Sequence, residues 1–400
     1  MRSAGNGMKH ILFVIDTLRM GGAEKSLVSL LKALDPQRVQ VDLYLFEGNG
    51  VLRSEVPDWV RVIEADPLTR AMTLELRTYF GDLLKGGHFA AAASRLMMTL
   101  RSRLAARKGA SSFGWGSITR HIPNLEGHYD AAVGYLEGFA DFFVLDKVTA
   151  ARKIGWIHTD MSKRWTTPEE AAYYQRFDVM ATISDICLNG FCERFPAAGK
   201  TMRVVENIVL PQEVREKADI ATPATWAADR THLITVGRLD YHKGIDVGAR
   251  ACKVLKDRGI DVCWHVFGKG IMHDEIAAYV AENGLEENFL LEGLTSNPYP
   301  YMKRADLLVQ PSRVEGKSIV LDEAKILGKA IVVTNYPSVY DQIEDGVTGI
   351  ITGMEPEQIA DGIQRVLGDA GLRKTLEENC FRQPNQSIRA LNEFYEMIGA

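Results

Sequence analysis

Residues 310–328 read Gln310-Pro-Ser-Arg-Val-Glu-Gly-Lys-Ser-Ile-Val-Leu-Asp-Glu-Ala-Lys-Ile-Leu-Gly328. The apolar run Asp306–Gln310 that leads into this stretch has the pattern of a buried parallel strand, which stops at Pro311. A short polar loop follows, and apolar residues then return at helical spacing. The stretch therefore predicts a strand, a loop and a helix, with Glu315 in the loop and Glu323 about one turn into the helix.

The predicted start of this helix has the features of an anion site. Gly316, Lys317 and Ser318 lie there, and a helix N-terminus with free N–H groups and a nearby ammonium favours an anion. Phosphate alone would not need two carboxylates beside it, but hydroxyl groups held next to a phosphate would. The alternative is that Glu315 and Glu323 are surface carboxylates near a helix start, where acids are favoured.

Composition places the chain among ordinary soluble proteins. It has 400 residues, of which 46% are hydrophobic and 25% charged, and this length predicts two domains. The net charge of −5 argues against a nucleic-acid-binding surface spread over the molecule. Five cysteines without a C-x-x-C pair favour a reducing compartment and give no zinc pattern. The first apolar run, Ile11–Ile15, is interpreted as a strand and not as a signal peptide, so we expect a cytoplasmic protein.

Strands, loops and helices alternate in two series. The first begins at Lys9–Ile15 and continues through Val39–Phe46, and such alternation is typical of a doubly wound parallel sheet. The second begins at His232–Val236. Between them, Pro211–Asp229 is polar and alanine-rich. We therefore predict an N-terminal, acceptor-side Rossmann-like domain at residues 1–210 and a C-terminal, donor-binding one at residues 211–384.

The last predicted helix, at about residues 385–400, has an apolar face that could pack against either domain, and the assignment allows it to return to the first. Two doubly wound domains facing each other would place the carboxyl ends of both sheets on a central cleft. Ligands bind at such edges of open parallel sheets.

A second loop carries cations suited to phosphate. Arg238 and Lys243 lie in the loop Gly237–Gly244, after the first strand of the second domain, where a doubly wound fold keeps its phosphate loop. Taken alone, this string could be a surface turn with solvated charges. A third loop contains Gly268, but by itself it is weak evidence for a ligand site and could be a plain turn.

The segment 94–108 combines five basic residues with apolar ones: Arg95, Arg101, Arg103, Arg107 and Lys108 alternate with Leu96, Met97, Met98, Leu100 and Leu104. Two interpretations stay open. The segment is either a solvated helix face with a buried apolar stripe, or a basic amphipathic helix that lies on an anionic membrane surface.

Together, three features resemble the retaining GT-B glycosyltransferases of the family-four group. They are the loop Gly21–Glu24, the loop from Gly237 to Gly244, and Glu315 with Glu323 as an E-x7-E pair. The segments Trp156–Asp160 and Glu315–Lys325 further resemble the branch that builds bacterial capsular and other surface polysaccharides. The resemblance implies a hexose-type sugar moved from a nucleotide-diphosphate donor, of UDP or GDP type, to a glycan or lipid-linked acceptor.

The resemblance also implies roles for individual residues. Glu323 would hold the ribose and Glu315 the donor sugar, while Gly21, Gly22 and His158 of the first domain would approach the donor. The implied catalytic set is His158, Arg238, Lys243 and Glu315. The implied donor-binding set is Gly21, Gly22, Gly237, Gly268, Glu315, Gly316, Lys317, Ser318, Ile319 and Glu323.

We expect no metal and no resident cofactor. The sequence contains no D-x-D triplet, which fits cationic side chains in place of a divalent metal. One departure from the family pattern is Tyr241-His242 before Lys243, where acidic or small polar residues are frequent. Two alternative functions remain: a GT-B nucleotide-sugar epimerase or phosphorylase, and a non-catalytic relative that only binds nucleotide.

Overall fold

The computed structural model describes residues 8–19, 21–107, 113–162, 166–221, 226, 229–384 and 386–400. The chain divides into two compact units. Unit 1 comprises Met1–Ile208 with Gln386–Ala400, and unit 2 comprises Val209–Asn385. The sequence-based division lies between residues 210 and 211.

Unit 1 is built on a parallel sheet of seven strands among its described residues. The strands are β1 (Lys9–Ile15), β2 (Val39–Leu45), β3 (Arg61–Glu64), β4 (Tyr129–Gly134), β5 (Ala150–Ile157), β6 (Val179–Thr182) and β7 (Met202–Val204). Their spatial order is β3-β2-β1-β4-β5-β6-β7, and all neighbours pair in parallel. Residues Ile11–Ile15 are fully buried because a central parallel strand is covered on both faces.

Before the unit boundary, the described residues of unit 1 form eight helices. They are α1 (Gly22–Ala33), α2 (Pro67–Thr73), α3 (Leu76–Lys85), α4 (Phe89–Arg107), α5 (Trp115–Ile118), α6 (Phe139–Lys147), α7 (Pro168–Tyr174) and α8 (Asp185–Arg194). Short 3₁₀ turns occur at Val51–Glu55, Thr119–His121 and Gly199–Thr201 in this unit, and at Tyr241–Lys243 and Pro337–Asp341 in unit 2.

Unit 2 repeats the architecture with six parallel strands among its described residues: β8 (Thr231–Val236), β9 (Val262–Phe267), β10 (Phe289–Gly293), β11 (Leu307–Gln310), β12 (Ile331–Thr334) and β13 (Ile350–Thr352). Their order is β10-β9-β8-β11-β12-β13. The helices are α9 (Pro211–Ala218), α10 (Ile245–Asp257), α11 (His273–Glu282), α12 (Tyr299–Arg304), α13 (Ile319–Ile326), α14 (Pro356–Gly368) and α15 (Ala370–Arg382). The predicted fold class, two doubly wound parallel sheets, is confirmed.

The final helix, α16 (Ser387–Ile398), packs on unit 1. The Phe394 ring stacks on Phe13 of β1 with centroids 5.6 Å apart. The Tyr395 hydroxyl accepts a hydrogen bond from the backbone N–H of Asp35 at 2.7 Å. Arg152 also donates from Nη1 to the Met397 carbonyl at 2.8 Å. The chain therefore returns to its first unit after completing the second.

The basic segment predicted at residues 94–108 lies in α4, except Lys108, which falls outside the described residues. The buried side of α4 carries Ala91, Ala92 and Met98. Leu96, Met97, Leu100 and Leu104 are exposed. The interpretation with a buried apolar stripe is therefore wrong for these four residues, because tertiary packing uses the alanine side of the helix. Across the described parts of the chain, no helix combines the length and apolar character needed to cross a membrane.

Candidate functional site

In unit 2, β9 and β10 are added on one side of β8, and β11, β12 and β13 are added on the other. The order of strands therefore reverses between β8 and β11. Doubly wound sheets bind ligands in a crevice at the carboxyl ends of the two neighbouring strands where this reversal occurs, and here those strands are β8 and β11. The loop after β8 carries Arg238 and Lys243, and the loop after β11 carries Glu315. The fold thus brings together the charged residues that the sequence singled out in this half.

Lys243 and Glu315 form a direct ion pair. The Lys243 ammonium nitrogen lies 2.6 Å from Oε1 and 2.8 Å from Oε2 of Glu315. Gln310 Nε2 and the Ser312 hydroxyl also donate to Oε1, at 2.7 and 2.8 Å. The carboxylate is nearly buried, so this set of donors holds it in one orientation.

Sequence reasoning did not include Gln310 or Gln342, which fix the start of α13. The Ser318 hydroxyl donates to Gln310 Oε1 at 2.9 Å. Gln342 accepts from the Ser318 N–H and donates to the Ser318 carbonyl, both at 2.8 Å. A polar residue ending the buried strand β11 was the available signal for Gln310, whereas nothing local pointed to Gln342.

Glu323 is the fifth residue of α13 and is only 1% exposed. The hydroxyl of Tyr299, at the start of α12, donates to its Oε1 at 2.8 Å. Tyr299 was also missed, because it precedes Glu323 by 24 residues and no sequence pattern connects them. The buried carboxylate is therefore oriented by a second buried side chain.

Two glycines allow the loops of this edge to approach closely. Gly244 has φ of 61°, and a Cβ there would lie 2.0 Å from the Pro311 carbonyl oxygen. A Cβ on Gly268 would lie 1.8 Å from the Gly237 carbonyl oxygen. These positions therefore require glycine, whereas Gly237 itself would accept a Cβ, which would meet the Lys243 side chain at 3.6 Å.

The remaining predicted residues of this half differ in their exposure. The side chain of Arg238 is 68% exposed, and its Nε lies 3.3 Å from Asp240 of the same loop, so it can reorient toward an anion. Gly316 and Lys317 are half-buried before α13, whereas Ile319 is its first residue and packs in the core. Ile319 therefore contributes backbone and packing at this edge.

Unit 1 has its own reversal of strand order, between β1 and β4. Gly21 precedes α1 as its N-cap, and Gly22 is the first residue of that helix. His158 directly follows β5. Its backbone N–H donates to Glu137 Oε2 at 2.9 Å, and the neighbouring Thr159 hydroxyl donates to Oε1 at 2.7 Å. Glu137, which sequence reasoning missed, therefore holds the His158 turn.

The environment of His158 keeps its imidazole neutral. Burial lowers the pKa of His158 to about 4, against the opposing effects of the Glu137 charge and a hydrogen bond with the Tyr135 backbone. Nε2 has no hydrogen-bond partner among the described residues. In the neutral ring Nε2 can therefore serve as a hydrogen-bond acceptor, which suits a hydroxyl group.

Asp16, at the end of β1, is a second perturbed group of this edge. Burial raises its pKa to about 7, and the charges of Glu24 and Glu137 act in the same direction. Its Oδ1 atom has no hydrogen-bond partner among the described residues. Asp16 was not among the predicted site residues.

One group in unit 2 could hold a metal ion: the ligand atoms of His232, Cys263 and His265 lie within 4.8 Å of one another and all three residues are buried. The imidazoles are 3.0 Å apart at His232 Nδ1 and His265 Nε2. His265 Nδ1 lies 2.7 Å from Glu292 Oε1. Because His232 lies near the amino-terminal end of β8, this group is separate from the loops described above.

The two sheets define the class: the chain has the GT-B fold of two Rossmann-like domains. The structure of HepE from Anabaena in complex with UDP and glucose superposes with a TM-score of 0.67 at 16% identity, over 98% of this chain and 99% of HepE. The structure of a TarM mutant from S. aureus in complex with Fondaparinux, alpha-GlcNAc-glycerol and UDP gives 0.69 at 14% identity, over 98% and 100%.

The family model described as glycosyl transferases group 1 matches residues 217–383, so unit 2 carries the sequence pattern of this family. Over 205 residues the chain is 29% identical to the N-acetylgalactosamine-N,N'-diacetylbacillosaminyl-diphospho-undecaprenol 4-alpha-N-acetylgalactosaminyltransferase of Campylobacter jejuni, covering 50% of this chain and 54% of that protein. Alpha-D-kanosaminyltransferase of Streptomyces kanamyceticus is 30% identical over 39% of this chain and 41% of its own length. The matches thus span about half the length of these relatives.

Proposed function

We propose that this protein is a glycosyltransferase that moves a hexose-type sugar from a nucleotide-diphosphate sugar to a glycan or lipid-linked acceptor, with retention of anomeric configuration. The observation that carries the proposal is the arrangement at the β8–β11 crevice. Two oriented carboxylates, Glu315 and Glu323, flank the start of α13, and Lys243 binds the first of them. This combination suits a ligand with hydroxyl groups on both sides of a diphosphate.

In this proposal Glu323 accepts hydrogen bonds from the ribose diol, as acidic residues do in other nucleotide folds. A carboxylate that is oriented before the ligand arrives needs little reorganisation when the ligand binds. Tyr299 supplies that orientation through its 2.8 Å hydrogen bond.

Lys243 and Arg238 supply positive charge to the departing diphosphate. A diphosphate leaves as an anion, so no carboxylic acid has to protonate it, in contrast to glycoside hydrolysis. The need is for cations where negative charge develops. Glu315 keeps Lys243 in place, and its carboxylate can accept a hydrogen bond from a hydroxyl group of the donor sugar. In this proposal these side chains supply the charge without a metal ion.

The proposal assigns His158 and the Gly21–Gly22 turn of unit 1 to the same donor. The neutral imidazole offers Nε2 as an acceptor for a sugar hydroxyl, while the glycines allow close backbone approach. The proposal assigns acceptor binding to unit 1.

The relatives support the choice of substrates. Their names include transferases for undecaprenol-linked sugars, poly(ribitol-phosphate) and amylovoran, and solved structures of similar fold contain UDP. We therefore propose a role in bacterial surface polysaccharide synthesis with a UDP or GDP sugar. All five cysteines are free, which fits the reducing cytoplasm that we propose as its location.

The test is a panel of UDP and GDP hexoses, each incubated with the full chain and a mixture of glycan and lipid-linked acceptors. We expect nucleotide release with one donor and a product whose anomeric configuration, read by NMR, matches that of the donor. Donor omission, acceptor omission and added phosphate distinguish transfer from epimerisation and phosphorolysis.

Variants connect this activity to the proposed site. Glu323→Gln and Arg238→Ala should each lower kcat/KM at least about 100-fold, since each removes a charged contact to the donor. Glu286→Gln is the matched control, because Glu286 is exposed before β10, at the opposite edge of the sheet. Unchanged activity in both site variants would contradict the proposed site. Absence of turnover and of nucleotide binding across the panel would overturn the function.

A further inference from the structure

The surface of α4 combines exposed apolar and basic side chains. Its exposed apolar residues and their exposed fractions are Phe89 68%, Leu96 44%, Met97 51%, Leu100 49% and Leu104 57%. Isolated exposed hydrophobic residues are ordinary, but a contiguous group on one element marks an interaction surface. These five residues are consequently candidates for contact with a partner.

Helical geometry makes the group contiguous. At 3.6 residues per turn, the five side chains fall within an arc of about 100° on one side of α4. Arg101 and Arg103 lie on opposite sides of this arc, and Arg107 lies within it at the C-terminal end. All three arginines are exposed. The surface is therefore an apolar stripe bordered by cations.

The charge of α4 is of one sign only. The helix contains four arginines and neither aspartate nor glutamate, although the whole chain has a net charge of −5. Arg95 is buried on the opposite side and donates to the Leu74 carbonyl at 2.6 Å, so it serves packing against the preceding segment. The packing of α4 does not explain its exposed arginines, which are therefore available to a binding partner.

We propose that this face of α4 docks the protein on an anionic lipid bilayer, with the five apolar side chains entering the headgroup region and Arg101, Arg103 and Arg107 contacting lipid phosphates. A helix lying in the membrane interface needs an apolar side and flanking cations. Arginine stems can extend along the apolar region while their guanidinium groups stay at the phosphate level. The charge of the stripe matches an anionic surface.

This inference is independent of the proposed function, since vesicle binding requires neither donor nor acceptor. The experiment is flotation of the full chain with vesicles of phosphatidylcholine alone or with one third phosphatidylglycerol, over a series of salt concentrations. We expect binding to the anionic vesicles that weakens as salt rises, because salt screens the arginines. We expect much weaker binding to the neutral vesicles.

Two variants separate the electrostatic from the apolar contribution. Arg101→Gln with Arg103→Gln and Arg107→Gln should lower binding to anionic vesicles about tenfold or more. Leu100→Ser with Leu104→Ser should lower it similarly at every salt concentration. Arg203→Gln with Lys374→Gln and Arg389→Gln changes the net charge equally at exposed positions elsewhere and should bind like the wild type.

Three results would overturn the proposal: no binding to either vesicle, equal binding to both, or equal weakening by the control triple variant. A dimer in light scattering that the Leu100→Ser, Leu104→Ser variant abolishes, without vesicle binding, would assign the stripe to a second copy of the chain. All substituted side chains are exposed, so we expect each variant to fold like the wild type. Circular dichroism of each variant checks that weaker binding is not caused by unfolding.

Discussion

The ammonium of Lys243 is held between both oxygens of the Glu315 carboxylate, at 2.6 and 2.8 Å, across 72 residues of sequence. The two residues come from the loops on either side of the β8–β11 crevice. Their contact joins a cation proposed for the diphosphate to a carboxylate proposed for the donor sugar. They consequently form one functional unit and not two independent contacts.

This pairing predicts non-additive kinetics. Lys243→Met and Glu315→Gln should each lower kcat/KM about 100-fold or more, because each leaves its mostly buried partner, 9% exposed for Glu315 and 22% for Lys243, without its counter-charge. The double variant should lose less than the product of the single effects, with a coupling of about 1–3 kcal/mol. Steady-state kinetics with the donor identified in the panel measures the coupling.

The control for this cycle is Lys253→Met with Asp257→Asn, an ion pair of the same unit at 2.6 Å with one partner largely exposed. Exposed pairs contribute little, so all three control variants should retain wild-type kinetics. Additive effects at Lys243 and Glu315 would show that the two residues act separately.

The hydrogen bond from Tyr299 to Glu323 predicts a role in ribose recognition. Tyr299→Phe removes the hydroxyl but keeps the ring, so Glu323 should lose its fixed orientation. We expect KM for the donor to rise about five- to tenfold with little change in kcat, and the preference for a ribose over a 2′-deoxyribose nucleotide to fall.

Tyr301→Phe is a matched control on the same helix, since the Tyr301 ring packs against Phe267 and Trp226. It should leave KM and sugar preference unchanged. A loss of stability in Tyr299→Phe without any change in ribose preference would assign Tyr299 a structural role only.

Residues 306–328 show which parts of the structure a local sequence pattern can predict. A buried apolar run, a proline and a return to helical spacing predict β11, its loop and α13, because these signals lie within a few residues of one another. The contacts of Tyr299 and Gln342 with this segment were not predictable. They depend on the sheet order, which brings distant loops to one edge.

Helix α4 shows what a local sequence pattern does not predict. Its alternating basic and apolar residues predicted a helix, but the side that packs inward was not determined by hydrophobicity. Alanines let α4 approach α3 and α5 closely, so the larger leucines face outward. Similarly, His158 was selected by resemblance, whereas its neutral state follows from burial that only the folded chain reveals.

The lowered pKa of His158 predicts a stability change with pH. Between its folded pKa of about 4 and its ordinary value of 6.5, the unfolded chain binds more protons than the folded chain. The free energy of unfolding should therefore fall as pH decreases through this interval. Urea unfolding of the wild type and of His158→Gln at pH 7.5, 5.5 and 4.5 measures it.

We expect the difference between these two proteins to change with pH in that direction, with the wild type losing more stability on acidification. His158→Gln retains an amide that can accept a hydrogen bond. The pH-dependent part of the difference therefore reports protonation. Parallel pH profiles would contradict the lowered pKa, as would imidazole ¹⁵N shifts that show a charged ring at pH 5.5.

The raised pKa of Asp16 predicts the opposite slope. Between 3.8 and about 7 the folded chain binds the extra proton, so this carboxyl makes stability fall as pH rises. Asp16→Asn should unfold at a temperature a few degrees higher than the wild type at pH 8, with the advantage disappearing near pH 4. Asp58→Asn, on an exposed turn, should show no such pH dependence. A lower melting temperature of Asp16→Asn at pH 8 would contradict the prediction.

The stacking of Phe394 on Phe13 predicts that α16 is needed for the stability of unit 1. Phe394 is fully buried, so Phe394→Ala should cost about 3–5 kcal/mol through lost burial and the cavity that remains. Phe381→Ala, on the exposed side of α15, should cost far less. Hydrogen exchange measured by mass spectrometry separates the units: we expect faster exchange in β1 and β5, which contact α16, and unchanged exchange in β8 and β11. A cost for Phe394→Ala as small as the one expected for Phe381→Ala would show that α16 contributes little to unit 1.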